Sequence, residues 1–319
     1  MSKWLNVFLP AKAAVPHARA SNEQFKPVTR PVGVFLGGTS GIGQAMAEQL
    51  ARHTNGQAQI VLLGRNQDAA DKIIASLPRT PDGTPAGQES KYSFVKVDAT
   101  SMAQVREVTS KLANELDKIN FLVLSSGFLT MKGRDETSEG IDRKLACNFY
   151  SRFRFAYDLA PLVEKAAEKG ERTGVMSVLD AGKGGPVNLN DLGLVKGFSL
   201  SAAHDHAVTG TDAAYEEFAT RYPKIPFTHA YPGAVSTPMV TNFTGSRFLV
   251  PLVRPLLVTP EHCAQIMWWR LWSPEEQWKT GAHQVNNHGE EVPHNRFVTP
   301  EVRTAVWEHA IQMTGEKSE

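Results

Sequence analysis

The chain has 319 residues, 41% of them hydrophobic and 21% charged, with 34 Lys and Arg against 33 Asp and Glu. That length holds one large α/β domain or two small ones with a sizeable core. The near-zero net charge offers no field for nucleic acid or anionic lipid, so neither is an expected partner.

No uninterrupted apolar run approaches the ~20 residues needed to span a bilayer. The N-terminal WLNVFLP is short, is cut by Pro10 and is followed by no convincing cleavage pattern, so the expected location is cytoplasmic. Cys147 and Cys263 lack metal-ligand spacing; they read as buried free thiols suited to a reducing compartment, and no metal site is expected.

Residues 1–30 mix Pro, Ala, Lys and His without periodicity and read as an extension. From Pro31, strand and helix signals alternate: strand 32–37, helix 41–53, strand 58–63, helix 67–77, strand 92–97. Pro78 stops the second helix, and RTPDGTPAGQES is a turn-rich surface loop. Ser101 can cap a helix carrying Val105, Val108, Leu112 and Leu116 at helical spacing, and FLVL at 121–124 is a short, fully apolar strand. A long helix over 137–168, a strand 175–178, a helix 200–221 and a strand 225–231 follow. The Pro-interrupted apolar stretch within 239–258 reads as a lid. Thr259–Pro260 and Thr299–Pro300 each place a cap before a first-turn proline, with strand 282–285 between them. These elements predict one α/β domain over 31–290 and a C-terminal helix within 291–319. Its core is a Rossmann-type, doubly wound parallel sheet of about seven strands in the order 3-2-1-4-5-6-7.

The segment VFLGGTSGIGQAMAEQL, 34–50, carries the chemistry. Gly37 permits a tight turn, Gly41 and Gly43 let backbone amides approach a pyrophosphate, and the helix N-terminus faces the anion. Ile42, Met46 and Leu50 lay an apolar stripe toward the sheet. Strand, turn and helix in this order point to a dinucleotide site.

Together these motifs resemble the short-chain dehydrogenase/reductase family over about 31–290, with spacing similar to its retinol-dehydrogenase-like members. The resemblance implies that Gly37, Thr39, Ser40, Gly41, Ile42 and Gly43 form the cofactor turn. Asp98 and Ala99 would meet the adenine, and Ser126 and Gly127 of LSSG would line the crevice. Pro232, Gly233, Val235 and Thr237 of PGAVST would hold the nicotinamide end. Where an NAD enzyme commonly carries an acid, the chain has Arg65 and Asn66; Arg65 offers a fork of donors to a 2′-phosphate, which favours NADP(H). Ser177 matches the family's catalytic serine and Asn148 its helical asparagine.

The family's tyrosine and lysine are missing from their helix. Ungapped alignment puts Ser201 and Asp205 at those positions, and a slip of three residues puts His204 at the tyrosine position. An imidazole, with an ordinary pKa near ~6.5, could relay a proton where a serine could not. Tyr150 and Tyr231 are other candidate acids. His204 and His206, two apart, are poor joint metal ligands. The resemblance implies an NADP(H)-dependent oxidoreductase acting on a small apolar carbonyl, imine or alkene. A non-redox enzyme on the same fold, or an inactive NADP-binding partner protein, remains an alternative, as does a homodimer through the two long helices.

Overall fold

The computed structural model describes residues 13–239 and 257–315. The lid expected over 239–258 falls almost wholly outside the described residues. Seven parallel strands form one sheet: β1 (Val32–Leu36), β2 (Gln59–Gly64), β3 (Lys91–Lys96), β4 (Phe121–Leu124), β5 (Gly174–Val178), β6 (Pro226–Ala230) and β7 (Gly281–Val285). Their spatial order is β3-β2-β1-β4-β5-β6-β7, as expected. The central strands are buried on both faces, which is why they read as continuous apolar runs. Val34 and Leu36 enter one core layer and Phe35 the other.

Helices α2 (Gly41–His53), α3 (Gln67–Ser76) and α7 (Pro260–Trp272) cover the second face, and α4 (Met102–Glu115), α5 (Arg143–Glu168), α6 (Leu200–Arg221) and α8 (Pro300–Thr314) the first. The strand order reverses direction between β1 and β4, which opens a crevice at their C-terminal ends.

Three local features depart from expectation. The extension contains a short helix, α1 (Val15–Asn22), whose Asn22 donates to the Gln265 carbonyl of α7. The long helix starts at Arg143 rather than 137, because Asp142 accepts from the Lys144 and Leu145 amides and caps it there. Its second segment, Ala146–Tyr150, is a single π turn, a feature that often marks a functional site within an α-helix.

α8 crosses both α5 and α6. Trp307 packs edge-on against Phe153 at 5.2 Å and Phe218 at 4.8 Å, with the Arg221 guanidinium over its ring. Part of the surface through which α5 and α6 would pair with a second copy is therefore taken by the chain itself.

Candidate active site

The crevice encloses about 170 Å³ above β1 and β4. Gly37 adopts φ +82°, and a Cβ there would stand 2.7 Å from the Ser126 amide nitrogen. Gly41 adopts φ +58° and faces Thr237. Ser40, at the N-cap of α2, makes no side-chain cap bond, so the helix presents its first amides to the crevice. Backbone cradle, helix terminus and absent caps fit a dinucleotide pyrophosphate.

Eleven of the sixteen residues expected at the cofactor line this crevice: Gly37, Thr39, Ser40, Gly41 and Ile42 on the turn, Arg65 beyond β2, Asp98 and Ala99 beyond β3, Ser126 and Gly127 beyond β4, and Thr237. The Asp98 carboxylate is fixed by Thr100, which donates its amide and hydroxyl at 2.9 Å. Arg65 is exposed and forms no ion pair with any described residue.

The other five stand elsewhere. Gly43 is buried, and a Cβ on it would lie 2.6 Å from the Gly37 carbonyl, so it seats α2 against the turn rather than touching a ligand. Asn66 caps α3 by accepting from the Ala69 amide at 3.0 Å. Gly233 packs on Asn287, Val235 pairs with Val258, and Pro232 leads into that bend; together they position Thr237. Cys147, read as a buried thiol, is indeed buried but also lines the crevice, where burial pushes its thiol up.

A second cavity of about 220 Å³ shares Phe128 with the crevice. Its wall is largely apolar, with Phe128, Leu129, Met131, Leu179 and Val208, and its polar members are Asn148, His204, Lys144 and Thr130. The π turn presents Asn148 so that its Oδ1 would lie 3.5 Å from a Cβ on Gly127, placing it where the two cavities meet. Lys144 is already engaged by the Gly133 carbonyl at 2.8 Å and Asp142 at 3.1 Å.

Ser177 does not reach either cavity. It is fully buried within β5, and its Oγ accepts from Arg152 Nη1 at 2.7 Å. Arg152 also donates to the carbonyls of Val178 and Ser126. It has no carboxylate at ion-pair distance among the described residues, and burial draws its pKa down. The residue that emerges beyond β5 is Asp180, which the motif reading passed over; it lies two positions past the last strand residue.

Ser201 is exposed on the first turn of α6 and lines neither cavity. His204, one turn further, does line the second, and its Nε2 lies 2.9 Å from Asp180 Oδ2. His206 is structural: Nε2 accepts from the Asn188 amide while Nδ1 donates to the Leu192 carbonyl, and burial lowers its pKa. None of the chain's six tyrosines lines the second cavity. Tyr150 is buried against His309, and Tyr231 lies beneath the Lys183 ammonium.

The short chain dehydrogenase family model matches residues 32–187. Oxidoreductase AN1596 of Emericella nidulans is 34% identical over 224 residues, covering 70% of this chain and 64% of that protein. Oxidoreductase andH of Emericella variicolor is 33% identical over 238 residues, covering 73% and 67%. The fold matches that of 3-ketoacyl-(acyl-carrier-protein) reductase from Brucella melitensis complexed with NADH. The TM-score is 0.57 at 21% identity, over 82% of this chain and 98% of that one.

The protein therefore belongs to the short-chain dehydrogenase family, and it spans about two thirds of the length of these curated relatives. No helix among the described residues is long and apolar enough to cross a membrane.

Proposed function

We propose that the protein is an NADP(H)-dependent oxidoreductase that reduces or oxidises a small apolar molecule at a carbonyl, imine or alkene, with an atypical catalytic site. The observation that carries this reading is the junction of the two cavities. A crevice with free helix amides at one end and an unpaired Arg65 at the other opens, past Phe128, into an apolar chamber.

Arg65 would hold the 2′-phosphate through charge-assisted, planar hydrogen bonds. The α2 amides and the Gly37 turn would hold the pyrophosphate, while Asp98 and Ala99 flank the adenine. Thr237 would bear on the nicotinamide end. When bound, the cofactor supplies or accepts the hydride. The chamber's apolar wall would orient the substrate, and Asn148 offers a hydrogen bond at the junction. A cytoplasmic setting suits the two free thiols. A homodimer built on α5 and α6 must use surface that α8 leaves free, and sedimentation of the purified chain measures it.

The test is calorimetric titration with NADPH and NADH, followed by turnover with NADPH carrying deuterium on its transferable position. Tighter binding of NADPH and deuterium in the product are expected. Failure to bind either nucleotide overturns the reading, and product without deuterium moves the protein to a non-redox reaction.

A further inference from the structure

We propose that Asp180 and His204 are the acid–base pair of this site, with His204 the proton donor to the substrate and Asp180 its positioning residue. The inference rests on the oxidoreductase reading above and names the group that supplies the proton.

Among the described residues, His204 is the one titratable side chain lining the apolar chamber that is not already engaged by backbone or buried in a structural role. Lys144, its neighbour across the cavity, gives its ammonium to Gly133 and Asp142. Asp180 lies on the loop after β5 and His204 on α6, so the pair bridges two elements that converge at the C-terminal end of the sheet.

The contact fixes the ring's orientation. Nε2–H donates to Asp180 at 2.9 Å, while Nδ1 is 3.5 Å from Asp205 and only weakly held. In the imidazolium, Nδ1–H is then the donor left for a substrate oxygen, and with His204 side-chain exposure at 40% it stays in exchange with solvent. Asp205, at the position expected to hold the family's lysine, thus acts in the opposite sense: its negative charge supports an imidazolium, where an ammonium would suppress one. Gly185 makes room for it, since a Cβ there would lie 2.6 Å from the Asp205 carboxyl carbon.

The charges around the pair agree. The hydrogen bond to Asp180 raises the imidazole's pKa, burial opposes it, and the charges of Asp180 and Asp205 add to the rise. Burial would raise Asp180, but its hydrogen bond with His204, the charge of that imidazole, and Lys183 and His229 together bring it below the usual carboxylate range. Arg152 beneath the strand end and Lys144 across the cavity are the remaining cations nearby. The positive end of α6 acts against protonation, so the carboxylates are what keep the imidazolium. The pair's mutual stabilisation is present between the lowered Asp180 value and the raised His204 value. It is lost as pH falls through the first or rises through the second.

In the reductive direction the Nδ1–H bond breaks and an O–H bond forms on the substrate oxygen, leaving a neutral imidazole. Bound NADPH would supply the accompanying hydride, and solvent restores the proton to Nδ1.

The experiment uses the full chain and its Asp180→Asn, Asp180→Glu and His204→Gln variants. Proton NMR of the imidazole in nucleotide-free protein should give a His204 pKa above 6.5 in the wild type and a lower value in Asp180→Asn, with Asp180→Glu restoring it. NADPH-dependent reduction of 4-nitrobenzaldehyde should fall at least ~100-fold in kcat for His204→Gln with NADPH affinity unchanged. The alkaline limb of the pH profile should move to lower pH in Asp180→Asn. A wild-type His204 that titrates at or below 6.5, or a His204→Gln enzyme with full kcat, overturns the pair. If NADPH binding itself is absent, the functional reading fails instead.

Discussion

The two halves of the crevice follow different rules. The nucleotide half, where β1 and β4 part, is built from backbone: a positive-φ glycine, uncapped amides and a close approach of α2 to the turn. The proposed reaction half, where β5 ends and α6 begins, is built from side chains, and there ungapped alignment puts Ser201 and Asp205 at the family's tyrosine and lysine positions. Backbone geometry tolerates few changes because a Cβ has nowhere to go, whereas a proton donor can be replaced by any group of suitable pKa that reaches the same space. A chain can thus keep its cofactor and change its chemistry.

The sharpest way to break that contrast is Gly37→Val. The position has φ +82°, and the added Cβ meets the Ser126 amide nitrogen at 2.7 Å. A β-branched residue there should reduce NADPH affinity by at least ~100-fold, about 2.7 kcal/mol. Calorimetry reads the affinity and circular dichroism the fold; a folded variant with wild-type affinity would refute a backbone-built cradle.

Arg65→Ala tests the one side chain on which the proposed nucleotide choice depends. Loss of hydrogen bonds to a charged phosphate should cost about 1.5–3 kcal/mol, roughly 10–100-fold in NADPH affinity. NADH affinity should not change. Equal losses for both nucleotides would mean that Arg65 does not read the 2′-phosphate.

The difference between the halves also governs how far each could be read in the chain. The central strands are legible to within about a residue because sheet burial on both faces demands unbroken apolar runs such as FLVL. The glycine turn was legible because its residue types are dictated by φ. Ser177 misled for the complementary reason. It sits in an apolar strand with the right neighbours, yet its register opposite His229 buries it beside Arg152. Asp180 stands two residues beyond β5, in a loop with no periodicity to announce it, and its meaning appears only when α6 brings His204 alongside. The start of α5 was legible in principle, since an Asp followed by two amides it can accept from is a cap signal; the turn-rich stretch before it obscured the boundary.

Arg152 ties the two halves together, donating to Ser126 on one side and to Ser177 and Val178 on the other. Arg152→Met should strand two carbonyls, each costing about 1–3 kcal/mol, partly offset by removing a desolvated cation, for a net loss of about 1–3 kcal/mol. Chemical denaturation measures it. Stability equal to or above wild type would show that the cation's burial outweighs its hydrogen bonds, and that the halves hold their relation without it.

The smallest effect separates a cap from a cofactor contact. Asn66 follows Arg65 and shares its expected role, but its side chain accepts from the Ala69 amide and sits outside the crevice. Asn66→Ala should cost about 1 kcal/mol of stability through α3, and in a chain this large that shifts Tm by only a few degrees. NADPH affinity should be unchanged within error, in contrast to Arg65→Ala one residue away. If the two variants lose NADPH affinity alike, Asn66 contacts the nucleotide after all, and the boundary of the backbone-built half extends one residue further along the chain.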